Sequence, residues 1–280
     1  MPPSPQVEEA MPYLFDHLDS VGEVLALSPL GLITDIDGTI SEIAPSPEEA
    51  RVSLVCHDSL GTLAERLELV AAVSGRPAWQ AREMVGVEGI AYVGNHGLER
   101  WVEGTTEFVT GAEGYLDKVA QALRELKKLL ALDGIAFEDK GLALSIHYRQ
   151  CLDRESARRY ILEKISTAAI AREFSIIEGR MVVELRPPLK VNKGDAVLAL
   201  VERYRLQGGI YLGDDISDID AFAAIHNRSK SSSFKGLALG IIDKETSLLV
   251  EKEADFTLHG VGDVERFLKW LAETVAALRH

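Results

Sequence analysis

Four short apolar runs, each broken by a polar loop rich in Gly, Asp or Ser, constrain this chain more than any other feature. Leu30 to Thr34 stops at DIDG, Leu69 to Val73 at SGRP, Ile90 to Val93 at GNHG, and Gly209 to Leu212 at GDD. Runs this short and this apolar suit strands buried on both faces, as in a parallel sheet. Helical patterns separate them, over Ala50 to Leu67, Pro77 to Val85 and Lys193 to Leu206. Strand and helix in alternation predict an α/β fold with a Rossmann-like parallel sheet covered on both sides. Short strands at Leu237 to Leu239 and Ala254 to Leu258 precede a terminal helix with Val264, Phe267, Leu268, Leu271, Val275 and Leu278 on one face. Upstream, residues 1 to 11 read as a Pro-rich tail and Leu14 to Leu27 as a helix.

The pattern changes between residues 105 and 188. Leu116, Val119, Leu123, Leu126 and Leu130 form one helical stripe, and Ala157, Tyr160, Ile161, Ile165 and Ala168 a second. LALSIHYR and RMVVELR alternate as antiparallel strands with one face in water. This predicts a core of residues 1–104 and 189–280 with an inserted α+β cap domain at 105–188.

A formal net charge of -14 argues against nucleic acid or an anionic membrane as partner, because both are bound by clustered Lys and Arg. The two cysteines, Cys56 and Cys151, lie far apart and have no His at zinc-ligand spacing, so a reducing, cytoplasmic setting is expected. No leader pattern opens the chain, and no run of about 18 apolar residues occurs.

The strand-end loops carry the candidate chemistry. Asp35 and Asp37 stand one residue apart, and Gly38 permits the sharp turn that lets both face one site. A carboxylate accepts a phosphoryl group when a cation offsets the repulsion between them, and magnesium does so with oxygen ligands. Ser74 offers a hydroxyl to a phosphate oxygen, Lys193 a fixed positive charge, and Asp214 and Asp215 further carboxylates, with Asp218 and Asp220 close behind. Each has a plainer reading in isolation: an Asp-Gly turn, a helix cap, a surface lysine, an acidic helix start.

Taken in order, DIDGT, Ser74, Lys193 and GDDISD resemble the haloacid dehalogenase-like phosphohydrolases. Within them, GNHG, SIHYR, VVELRP and KGDA resemble the trehalose-6-phosphate phosphatases over about residues 29 to 270. The resemblance implies a phosphoric monoester hydrolase with Asp35 as nucleophile, Asp37 as general acid and then base, and Ser74, Gly75 and Lys193 on the phosphoryl group. It implies Mg²⁺ held by a set drawn from Asp35, Asp37, Asp214, Asp215 and Asp218. Candidate substrate contacts are Arg76, Asn95 and His96 with His147, Arg149, Arg180 and Glu184, the last four because they lie in the inserted stretch and offer donors and acceptors, under a cap that the resemblance implies closes over the sugar. The chain departs from the family where Ile219 replaces an acidic residue and where Arg180 stands in place of a lysine. Other readings are a sucrose-phosphate or mannosyl-3-phosphoglycerate phosphatase, a phosphomannomutase-like transferase, or a sugar-phosphate sensor without catalysis.

Overall fold

The computed structural model describes residues 11–44, 46–244 and 246–278; the expected tail falls outside them except for its last residue. The chain begins with α1 (Leu18–Leu25), β1 (Leu30–Thr34), α2 (Leu54–Ala64), β2 (Leu69–Val73), α3 (Ala78–Val85), β3 (Ala91–Gly94), β4 (Glu99–Val102) and β5 (Thr105–Phe108). A middle stretch holds α4 (Tyr115–Leu129), β6 (Ala136–Asp139), β7 (Leu144–His147), α5 (Arg154–Thr167), β8 (Ser175–Gly179) and β9 (Val182–Arg186). It then continues through α6 (Lys193–Arg203), β10 (Gly208–Gly213), α7 (Ile216–Ser231), β11 (Lys235–Ile242), α8 (Leu248–Glu253), β12 (Phe256–His259) and α9 (Gly260–Leu278).

Eight strands form one sheet in the order β12-β11-β10-β1-β2-β3-β4-β5. From β12 to β3 neighbouring strands run parallel; β4 and β5 are added antiparallel. Side chains of β1 alternate between two cores. Leu30 and Leu32 join Leu60, Leu63, Phe267 and Leu271 on one face, and Ile33 joins Val197, Leu200, Phe222 and Ile225 on the other. Burial of both faces is why these strands read as unbroken apolar runs.

The strand pair β4–β5 was not expected. Its turn places Glu103 and Gly104 at φ 51° and 85°, the left-handed geometry of a tight hairpin. Glu-Gly is a weaker turn signal than Asn-Gly, which accounts for the omission. Thr105–Phe108 lies past the boundary expected after residue 104, yet it pairs with β4 in the large sheet.

The α+β stretch packs around its own core, including Val119, Leu126, Ile146, Ile161, Ile165 and Val183. Its sheet is antiparallel in the order β6-β7-β9-β8. One expectation for it fails: the polar face of β7 and β9 is not in water. Ser145 and Glu184 are buried, because that face is turned onto the strand ends of the large sheet, as the hydrogen bond from Asn95 to the Lys140 carbonyl records. Elsewhere, the helix expected over Leu14 to Leu27 is a 3-10 turn at Leu14–Asp16 and then α1, interrupted at His17. On α9 the apolar face is as expected except for Leu278, which is 64% exposed. Among the described residues no helix is long and apolar enough to cross a membrane.

Candidate active site

β1 lies between β10 and β2, so the loops that follow these three strands meet at one edge of the sheet. The chain proceeds from β1 to β2 on one side and returns through β10 on the other, and the crevice at such a reversal is where open α/β sheets bind ligands. Asp35 follows β1, Ser74 follows β2, and Asp214 follows β10. Lys193 reaches them from the first turn of α6, whose start is fixed by the Asn192 side chain accepting from Asp195 N.

Lys193 is 2% exposed. Its ammonium donates to Asp35 Oδ1 and to Asp218 Oδ1, both at 2.7 Å. Burial alone would lower its pKa; Asp218 and Asp35 outweigh that and raise it. Oxygens of Asp35, Asp214 and Asp218 lie within 4.8 Å of one another. Three buried carboxylates thus face one buried ammonium, and full ionisation would leave two negative charges uncompensated. Burial pushes the Asp35 carboxyl up to about 7 against the pull of Lys193. Burial and then Asp35 push Asp214 well above the ordinary carboxylate range. An all-oxygen site short of two positive charges fits a hard divalent cation.

The three carboxylates are not equivalent. Asp218 accepts from Lys193 and Tyr211 at Oδ1 and from the Asp214 and Asp215 backbone N–H groups at Oδ2. These four bonds use the acceptor capacity of a carboxylate, so Asp218 orients Lys193 and the loop. Asp214 is held by the Thr39 hydroxyl at 3.1 Å. Gly38 has φ +88°, and a Cβ there would lie 2.1 Å from Asp214 Oδ2. Only glycine allows the DIDG turn to approach this carboxylate. Asp37 and Asp215 lie outside the three-carboxylate group. Ser217 donates to Asp215 at 3.3 Å, and Ile219 packs against the α6–α7 core.

Asp37 is engaged by Arg76 through two bonds of 2.7 Å, and Arg76 also donates to the Pro47 carbonyl. Ser74 is buried and accepts from Arg76 N at 3.2 Å. Asn95 and His96, on the turn after β3, are buried or nearly so beside this loop. Glu99 fixes the turn by accepting from the Asn95 amide at 2.8 Å and from Ala78 N at 2.9 Å.

Across the cleft, Glu184 is 4% exposed. Its Oε1 accepts from Lys140 and Ser145, both at 2.9 Å, and its Oε2 from Arg186. Burial would raise its pKa; Lys140 and Arg186 hold it well below the usual carboxylate range. His147 bonds Glu138 at 2.8 Å on the same sheet. Arg149 and Arg180 are within electrostatic reach of each other, and burial followed by Arg180 lowers the Arg149 pKa. The sequence reading omitted Glu138, Lys140, Ser145 and Arg186. Ser145 and Arg186 sit inside the quoted SIHYR and VVELRP runs, whereas Glu138 and Lys140 belong to no motif and are aligned with Glu184 only by strand pairing.

The trehalose-phosphatase family model matches residues 33–242. A trehalose-phosphate phosphatase of Mycolicibacterium paratuberculosis is 35% identical over 68% of this chain and 50% of its own length. A probable trehalose-phosphate phosphatase D of Arabidopsis thaliana is 27% identical over 98% of this chain and 77% of its own. The chain therefore spans about half the length of the first of these relatives. Among solved structures, the C-terminal domain of a C. albicans trehalose-6-phosphate phosphatase superposes with a TM-score of 0.73 at 19% identity, covering 95% of this chain and 99% of that one. A trehalose-6-phosphate phosphatase related protein gives 0.73 at 23% identity, covering 88% and 99%. At these identities the structures speak for the fold alone.

Proposed function

The chain belongs to the trehalose-phosphatase family, and from that premise we propose that it hydrolyses trehalose 6-phosphate to trehalose and inorganic phosphate, with Asp35 as the phosphoryl acceptor. The observation that carries this reading is the buried Asp35–Lys193–Asp218 array with Asp214 beside it, assembled from three separate loops.

In the proposed reaction an Asp35 oxygen attacks phosphorus in line, and the bond from phosphorus to the sugar oxygen breaks. Asp37 gives that oxygen its proton, an assistance worth roughly 10²- to 10⁴-fold. Water then attacks phosphorus with Asp37 taking its proton; the acyl phosphate opens, Asp35 is regenerated and phosphate departs. Both Asp37 oxygens accept from Arg76, so an arriving phosphate, competing for the guanidinium, frees one of them to take up from water the proton that it then gives to the sugar oxygen. Lys193 is shared by Asp35 and Asp218 and Arg76 is paired with Asp37, so the dianion gains the Arg76 guanidinium by competing with Asp37 for it. Ser74 and the backbone at Gly75 complete the phosphoryl pocket.

Mg²⁺, held by Asp35 and Asp214, would supply charge neutralisation at the transferring oxygens. The region within 105–188, past β5, acts as the cap; its polar face, with Glu184, Lys140, Glu138 and His147, offers acceptors and donors suited to sugar hydroxyls. Two buried free thiols, Cys56 and Cys151, suit a reducing, cytoplasmic compartment.

The test is release of inorganic phosphate, with magnesium, from trehalose 6-phosphate, sucrose 6-phosphate, mannosyl-3-phosphoglycerate and glucose 6-phosphate. Highest kcat/KM on trehalose 6-phosphate is expected. Preference for another sugar overturns the substrate assignment, and binding without hydrolysis overturns the enzymatic one.

A further inference from the structure

His96, on the turn after β3, and Arg186, on β9, meet across the cleft, with Arg186 Nη2 2.6 Å from His96 Nε2. A guanidinium has no lone pair to offer, so Nε2 is the acceptor and the ring proton resides on Nδ1. His96 Nδ1 is buried and has no hydrogen-bond partner among the described residues. The ring therefore keeps a tautomer whose one good bond is the bond to Arg186. Burial and then the Arg186 charge hold the imidazole well below its ordinary pKa, as an uncharged acceptor requires.

The ring is fixed from behind by the phosphoryl loop. His96 N donates to the Ser74 carbonyl at 3.0 Å and Asn95 N to the Arg76 carbonyl at 2.8 Å. Asn95 and His96 adopt left-handed φ values of 50° and 56° to do so, a conformation held only where surrounding bonds over-determine it. A Cβ on Gly75 would lie 2.6 Å from His96 Nε2, so the absent side chain at that position is what lets the imidazole lie against the loop. On its other side, Arg186 donates through Nε to Glu184.

We propose that His96 is a positioning residue: its Nε2 docks the Arg186 guanidinium against the 74–76 loop, and Arg186 in turn fixes Glu184, so that the face reading the sugar is set in register with the site holding the phosphoryl group. This rests on the functional reading above. It makes His96 important for substrates that engage the cap and less so for small phosphate esters that do not.

Two measurements test it. Long-range ¹H–¹⁵N correlation spectra of the labelled full chain will show His96 as the Nδ1–H tautomer; a predominantly Nε2–H ring overturns the proposal whatever the substrate is. His96→Ala will lower kcat/KM on the best sugar phosphate of the panel by about tenfold to a hundredfold, with a smaller loss on p-nitrophenyl phosphate. His96→Gln, which keeps an acceptor, will recover part of the loss, and adding Arg186→Ala to His96→Ala will cost little more. Equal losses on both substrates, or losses that multiply in the double variant, overturn the proposal while leaving the functional reading in place. Failure of the wild type on trehalose 6-phosphate overturns the substrate assignment and leaves the tautomer result to decide the His96–Arg186 contact.

Discussion

Lys193 Nζ lies 2.7 Å from Asp35 Oδ1 and the same distance from Asp218 Oδ1, joining residues 158 and 25 positions away in the chain. Removing one partner of a buried charge array leaves the others uncompensated, at a cost of about 3–5 kcal/mol. Lys193→Met will accordingly lower stability by an amount of this order and abolish turnover. Urea unfolding checks it; a stability loss below about 1 kcal/mol would mean that the carboxylates are not held by this ammonium.

Asp214 and Asp35 carry the charge deficit, so a divalent cation taken up between them would bind the folded chain in preference to the unfolded one. Magnesium at about a hundredfold excess over its dissociation constant will add on the order of 3 kcal/mol, seen as a rise in melting temperature. Asp214→Asn will remove most of the rise, whereas Asp215→Asn will keep it. Equal loss in both variants would show that the metal lies elsewhere.

Glu184 holds Lys140, Ser145 and Arg186 together on the polar face of the β6-β7-β9-β8 sheet. Glu184→Gln removes the charge but keeps the shape. It will raise KM for trehalose 6-phosphate by roughly tenfold or more, with a smaller effect on p-nitrophenyl phosphate, if Glu184 meets the sugar as proposed. Parallel changes in both substrates would instead mark Glu184 as part of the scaffold.

His226 bonds Asp255 at 3.1 Å, and this bond raises the imidazole's pKa above 6.5 in the folded chain. A raised folded pKa means that the protonated ring favours folding. The contribution is complete below the unfolded value and fades as pH rises through the folded one. The wild type's advantage over His226→Gln in urea midpoint will thus be larger at about pH 5.5 than at about pH 9. A constant or growing advantage would contradict the assignment.

What the sequence disclosed follows from where the signals are local. A buried parallel strand and the loop that ends it are contiguous, so Asp35, Ser74 and Asp214 were legible one by one, and the order of their motifs supplied the rest. Asp218 was legible only as one of several acidic candidates; its bonds to Tyr211 and Lys193 were not, because β10 and α6 bring those partners to it only in the fold. The sheet with Glu184 was expected to have a wet face because strand alternation is the same whether the polar side meets water or a polar cleft. Glu138 and Lys140 carried no signal at all; their placement depends on the pairing Glu138 with Ser145 and Ser145 with Glu184 across three strands.

The central claim is that this chain transfers the phosphoryl group of trehalose 6-phosphate to Asp35. Phosphate release from that substrate by the wild type and by Asp35→Asn, whose fold is verified by an unchanged circular dichroism spectrum, tests it most directly. The account predicts magnesium-dependent turnover by the wild type and a loss of at least about a thousandfold in the variant. Activity of Asp35→Asn within about tenfold of the wild type would contradict it.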